Sequence, residues 1–431
     1  MSIFQTVVLG IFVVFIVAGV AVFAIFSGFG GGGNVGAVTI WGVGEQSAMQ
    51  RVLDDLRQGD DTLKEVHYVQ KSAATYEADL VNAIAAGSGP DLFLIPHEDI
   101  YSFSDKIVLI PYSAVSQAEF VNSFIDEGNL FLTGEGALAL PLFIDPLVMY
   151  WNRDLLASAS VSAAPGFWND FLELAPKVTS IDGTSGVRRA AVALGQWTNI
   201  KNAKAILSAL LMQAGDPIIA RGQDGELRSV LSITPSSAAE SPAQSALRFY
   251  TEFSNPSKKN YSWNRSFPEA QDAFVAGDLA VYFGFASEYQ TLTARNPNLH
   301  FGVSAMPQIE SNSSRLAYGA LTGVAIARGA KNPQGALIVA QHLSSQRGAG
   351  VFAQSVALPS VRRDAQADTS GSAVANVFVQ SALIARGWVD PAPTQTDSMF
   401  QTMIESVVSG RVSPAEAITE ADQELQKLLP F

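Results

Sequence analysis

The tryptophans and the carboxylates near them are where this 431-residue chain has side chains suited to chemistry. A flat ring with one polar handle covers the apolar face of a small molecule, while a neighbouring carboxylate or amide fixes its hydroxyl groups. Trp41 ends the apolar run Ala37–Trp41, and Glu45 follows after Gly42-Val43-Gly44. Trp197 stands in Gly195-Gln196-Trp197-Thr198-Asn199, after a strand-like run and before a helix. Trp263 stands in Tyr261-Ser262-Trp263-Asn264, and Trp388 in Gly387-Trp388-Val389-Asp390-Pro391. Each falls at a strand end or in a polar loop, where binding groups collect, so each is expected to face a ligand. The competing expectation for each is a core ring. Gly284 and Phe285 follow the strand-like Leu279–Phe283, where a missing Cβ would let backbone approach a ligand. Trp151 and Trp168 lie on strand and helix faces and are expected in the core.

Signatures of covalent or cofactor chemistry are absent from the sequence. There is no GxxxxGK[ST] phosphate loop, no GxGxxG opening a helix, no GxSxG elbow and no HExxH pair. His67, His97, His300 and His342 lack metal-site spacing and read as structural or surface residues. Gly87-Ser88-Gly89-Pro90 resembles a phosphate cradle, but it follows a helix and precedes a strand, so it is a turn. With no cysteine, disulfides, thiolate catalysis and iron–sulfur clusters are excluded. No metal and no cofactor is expected. A pair of catalytic carboxylates has no spacing rule, so a glycoside hydrolase stays open as an alternative.

The elements that must position these residues alternate. Strands are expected at Ala37–Trp41, Val66–Val69 and Asp91–Ile95. Between them lie a helix carrying Met49, Val52, Leu53 and Leu56 on one face and a helix over Tyr76–Ala86. Ser47 and Gln50 form a capping-box pattern at the first helix. This β-α-β-α-β order implies a largely parallel sheet with helices on both faces. A second set begins with strands at Ala137–Phe143 and Leu147–Tyr150. Helices follow at Phe167–Ala175, Ala203–Gln213, Pro242–Phe253 and Pro268–Ala276, then a strand at Leu279–Phe283, a strand at Gly319–Ala327 and a helix at Pro333–Leu343. A chain of this length exceeds one hydrophobic core, and two domains are expected.

Charge and hydropathy bound the setting. Net charge is −13, from 27 basic and 40 acidic residues, which argues against nucleic acid and against anionic lipid surfaces. The first charged side chain is Glu45, and before it Val7–Phe26 is an unbroken apolar run. As a helix it would span roughly 30 Å, the hydrocarbon thickness of a bilayer. Residues 27–34 (SGFGGGGN) read as a flexible tether. A single-pass membrane anchor is expected, with the folded part outside the cytoplasm; a cleaved signal peptide is the alternative.

Five segments, taken in order, resemble the extracellular solute-binding proteins of ABC importers, in the sugar-binding branch that includes maltose-binding protein. They are 85–93 (AAGSGPDLF), 139–155 (ALPLFIDPLVMYWNRDL), 167–172 (FWNDFL), 273–280 (AFVAGDLA) and 331–336 (KNPQGA). The resemblance covers roughly Val38 to Leu429. It implies a two-lobed α/β fold of the periplasmic-binding-protein type II, carried here on an N-terminal transmembrane helix. One lobe would hold 36–140 plus 312–357, and the other 141–311 plus 358–431. It also implies a small ligand, a sugar by branch, captured between the lobes without catalysis by a monomer that docks on ABC permease subunits. Asp145, in the crossover segment, and Tyr318, in a glycine-rich cleft loop, join Trp41, Glu45, Trp197, Trp263, Gly284, Phe285 and Trp388 as the expected ligand-facing set. The family's aromatic helix before Ser409-Gly410-Arg411 offers only Phe400 here, which weighs against an oligosaccharide. An anchored sensor that reports occupancy to a signalling partner is the remaining alternative.

Overall fold

The computed structural model describes residues 35–429 except 59–60, 183–185, 223–225, 313 and 366–371. The apolar run at Val7–Phe26 and the tether at 27–34 lie outside the described residues. Among the described residues no helix is long and apolar enough to cross a membrane.

The chain opens as its pattern dictates. Strand β1 (Val38–Gly42) alternates buried and half-buried positions, and helix α1 (Gln46–Arg57) buries Met49, Val52, Leu53 and Leu56. Strand β2 (Val66–Gln70), helix α2 (Tyr76–Ala85) and strand β3 (Leu92–Pro96) follow. β1 pairs in parallel with both β2 and β3. The expected capping box at Ser47 does not form, because α1 begins at Gln46 with no side-chain cap. Gln46 instead donates to Tyr68 O (2.9 Å) while its backbone N–H donates to Gln70 Oε1 (3.0 Å). Those bonds tie the helix start to β2. Asp91 accepts from Thr39 N and Asn332 N, both at 2.9 Å, and so fixes the start of β3 as a turn residue would.

Two expected strands fuse into one. β4 (Leu140–Asn152) runs unbroken for 13 residues. It continues because its halves find different partners. Strands β5 (Gly186–Val192), β6 (Leu279–Phe285), β7 (Phe301–Ala305) and β8 (Ala317–Ala327) come later in the chain. Residues up to Pro146 pair antiparallel with β8, whereas Leu147 onward pairs with β6 and β7. β8 also pairs with β3, so the crossing strands join two sets of strands.

The hydrophobic core divides at the same place. One cluster holds β1–β3, β4 through Ile144, Leu321–Ala327 of β8 and residues 336–361; the other holds β4 from Leu147, most of 155–306, and Met399–Leu429. The chain passes between the cores at Asp145-Pro146 in β4 and near Gly319-Ala320 in β8. Helix α3 (Ala203–Gln213) and strand β9 (Ala385–Arg386) pack against β8, and helix α5 (Gln346–Val356) packs against β4, while helix α4 (Glu288–Arg295) lies beside β6 and helix α6 (Pro393–Val408) follows β9 in the chain. The helix expected from Phe167 starts at Asp170, because the Asp170 carboxylate accepts from Gly166 N and Phe167 N (2.9 Å each) and holds a turn there.

Candidate ligand-binding site

Cavities lie beyond the strand carboxyl ends of the first core. Beyond β1, Val43, Gly44 and Glu45 form one wall of a cavity of about 300 Å³ that also takes in Tyr76, Glu77 and Asp99. Phe143 of β4 and Phe352 of α5 close it, stacked with ring centroids 5.1 Å apart. Val356 is shared with a second cavity of about 370 Å³, whose far wall is Ala286, Ser287, Tyr289 and Gln290 from beside the other core. A wider groove of about 1160 Å³ begins at Ile100 and Tyr101 and reaches Arg221 and Val389.

Behind these cavities the crossing strands carry a polar cluster. Tyr318 donates its hydroxyl hydrogen to Glu98 Oε1, and the Tyr318 hydroxyl oxygen lies 3.5 Å from His97 Nε2. His97 Nδ1 accepts from Leu321 N (3.2 Å), which leaves the ring proton on Nε2. Burial lowers the pKa of His97 and keeps the imidazole neutral. Glu127, 1% exposed, has two carboxyl oxygens without a hydrogen bond, and burial raises its pKa well above the carboxylate range despite the opposing charge of Arg386. A Cβ at Gly319 would stand 2.5 Å from Glu127 Oε2, and one at Gly387 would stand 2.6 Å from His97 Nε2. On the other side, Lys204 at the start of α3 donates to Asp390 (2.8 Å), Thr396 (2.9 Å) and Asp397 (2.6 Å). Burial would lower the Lys204 pKa, but these two carboxylates outweigh it and the ammonium stays charged.

Only part of the expected set comes together. Glu45 lines the first cavity. Trp41 is half-buried, and Lys71 Nζ lies 3.5 Å from its ring centroid, so one face already carries a cation. Asp145 lies at the crossing and accepts from Ser287 N (3.0 Å); burial pushes its pKa up to about 6. Trp197 is half-buried against the second core, and Phe285 stands edge-on to Tyr318 at 6.3 Å.

Four expectations are corrected. Trp263 is 0% exposed, donates to Asn199 Oδ1 (3.0 Å) and stacks on Phe267 at 4.4 Å, so its polar loop is folded into the core. Trp388 is 3% exposed and donates to Ser208 Oγ (3.2 Å), which uses up its polar handle. The missing Cβ of Gly284 makes room for the Tyr282 ring and Glu288, not for a ligand. Tyr318 is 2% exposed and belongs to the buried cluster behind the cavities.

The model of the bacterial extracellular solute-binding protein family matches residues 42–350. This chain belongs to that family. The match runs from the end of β1 into α5 and takes in both crossing strands. Among solved structures, the solute-binding fold is shared with the cyclic α-maltosyl-1,6-maltose binding protein of Arthrobacter globiformis (TM-score 0.74, 14% identity, 92% of this chain and 99% of that one). A cyclo/maltodextrin-binding protein complexed with maltotetraose is similar at TM-score 0.73 and 15% identity, covering 92% of this chain and 98% of that one. The GacH receptor of Streptomyces glaucescens, studied with acarbose, is similar at TM-score 0.69 and 17% identity over 91% and 98%. Among curated proteins none matches the chain.

The solute-binding fold exposes what the sequence reading missed. Glu98 and Asp99 follow β3 just as Glu45 follows β1, and the same strand-end rule would have found them. Lys204, Asp390 and Asp397 had no such signal, since they meet across 186 residues or more of chain.

Proposed function

We propose that this solute-binding protein captures a sugar between its two halves and delivers it to an ABC importer, without catalysis. The observation that carries this reading is the pair of cavities meeting at Val356. They have walls from beside both cores, and aromatic rings and carboxylates line the first of them at strand carboxyl ends. Rings cover the CH faces of a pyranose, while carboxylates accept from its hydroxyls. The similar structures include a cyclic α-maltosyl-1,6-maltose binding protein, a cyclo/maltodextrin-binding protein with maltotetraose and a receptor studied with acarbose, which supports the same ligand class here.

In this reading 36–140 plus 312–357 make one lobe, 141–311 plus 358–431 make the other, and both close on the ligand as a monomer. Val7–Phe26 anchors the chain in the membrane, with the lobes extracytoplasmic and beside the permease. Trp197, Asp145, Phe285, Glu45 and Trp41 remain ligand candidates, reached as the lobes move.

Thermal unfolding of the full-length chain against a panel of mono- and oligosaccharides tests the proposal. A sugar at 100 times its Kd should add about 2.7 kcal/mol of stability. A flat response to every sugar, with a shift on oligopeptides instead, overturns the ligand class. Sugar turnover overturns the absence of catalysis. An N-terminus starting near Gly30 in protein extracted from membranes overturns the anchor.

A further inference from the structure

Two guanidinium groups converge on one carboxylate while its neighbour in the chain has none. Arg363 and Arg386 both donate to Asp126, one to each oxygen. At Glu127, the next residue, no hydrogen bond reaches either carboxyl oxygen, and the side chain is wholly buried. Such groups are rare in folded chains, because an unmade hydrogen bond carries the full desolvation cost of the group.

The bare carboxyl lies where two crossings of the chain pass. Gly319 stands between Tyr318 of the second core and Leu321 of the first, and Gly387 between Ala385 of the first and Trp388 of the second. A Cβ on Gly319 would be 2.5 Å from Glu127 Oε2, and one on Gly387 would be 2.8 Å from Oε1. The two glycines thus make the space that the carboxyl fills. Their chain neighbours Tyr318 and Arg386 are register partners in β8 and β9. Asp126, Glu127 and Arg363 are set beside Ile125, Phe131 and Val361 of the first core, whereas Arg386 rides on a crossing.

The other charged and titratable groups around Glu127 are engaged. His97 Nδ1, 3.9 Å from Oε1, accepts from Leu321 N, and Tyr318 donates to Glu98, whose charge opposes that of Glu127. Asp145 of β4 is held by Ser287, and Glu119 on the adjoining helix Gln117–Ser123 is exposed. Among the described residues Arg386 is the cation whose charge acts on Glu127. Two arrangements follow. In the present one Arg386 makes an exposed pair of small value, and Glu127 is bare. In the other, Arg386 turns to Glu127 and Arg363 keeps Asp126. That buried pair gains Coulomb energy, which desolvation offsets, so the two states lie close in free energy.

We infer that Arg386 and Glu127 form a switch at the hinge between the halves. With Arg386 on Asp126 the Glu127 carboxyl is protonated and the halves hold the arrangement described here. With Arg386 on Glu127 the proton has passed to solvent and β9 is displaced against the first core. The switch rests on the sugar-capture reading only in that a ligand would move the same hinge; it is tested without one.

Because the chain has no cysteine, Lys64→Cys and Lys177→Cys place one spin label on each half. Distances between the labels in the full-length chain are measured at about pH 5 and about pH 9, with and without the sugar panel. Two distances should exchange population, their ratio changing about tenfold or more between the two pH values. Glu127→Gln, which stays neutral, and Arg386→Gln, which removes the cation, should each abolish the response. Asp126→Asn, which releases Arg386, should favour the displaced distance at about pH 9. A response that survives either glutamine variant, or none in the native chain, overturns the switch, and sugar capture stands if a sugar still shifts the distances. Distances that respond neither to pH nor to any sugar overturn both.

Discussion

Burial, then the charges of Glu77, Glu98 and Asp390, push the Asp99 pKa up to about 7. Glu77, Glu98 and Asp390 face it with negative charge and Lys204 with positive. Its folded pKa lies above the unfolded value, so it favours the fold at low pH. That contribution fades as pH rises from the usual carboxylate range through about 7. Asp99→Asn should flatten that dependence, read as the difference in Tm between about pH 5 and about pH 8. Trp263 makes a purely structural prediction. Buried, hydrogen-bonded and stacked, it should cost about 3–5 kcal/mol of stability as Trp263→Ala, read by denaturant unfolding. Its polar sequence neighbours misled because they fold inward to bond one another. Asn199 receives the Trp263 N–H and itself donates to Asn264 O (2.9 Å).

β4 and β8 each serve both cores, so small changes in them should reach further than their burial suggests. At Gly319 a Cβ would stand 2.5 Å from Glu127 Oε2 and 2.8 Å from Ile144 Cδ1. Gly319→Ala should therefore destabilise by about 1–3 kcal/mol, measured by thermal unfolding, as core overpacking does. Asp145 in β4 spans the crossing to Ser287. Its pKa of about 6 is raised by burial, with Glu288 adding to it and the Ser287 hydrogen bonds opposing. The carboxyl thus favours the fold below the unfolded carboxylate pKa, and that contribution is lost as pH rises to about 6. Asp145→Asn keeps an acceptor for Ser287 N–H and removes the charge. It should match the native chain near pH 4 and exceed it by about 1–3 kcal/mol at pH 8, read as a difference in Tm between the two pH values. The apolar pattern made both halves of β4 legible as strands, but their fusion was not, because each half is completed by a partner over 120 residues away.

At the scale of the whole molecule, two cores joined by thin crossings permit motion of one half against the other. A ligand that touches both sets the balance by its differential affinity. Small-angle scattering of the full-length chain should show a smaller radius of gyration with a bound sugar than without, and an unchanged radius would argue for a fixed cleft. The sequence by itself determined the α/β class, the two-core size and the family's order of segments. Those follow from local periodicity, turn residues and length, which need no distant partner. Glu45 was legible because it sits at a strand end, and Glu98 and Asp99 were open to the same rule. Only the tertiary structure decided which rings face inward. It buried Trp263, Trp388 and Tyr318, gathered Lys204 with Asp390 and Asp397, and placed Glu45, Glu77 and Asp99 on one cavity. The reason is physical: a side chain's neighbours across hundreds of residues are fixed by packing, and nothing in local spacing encodes them.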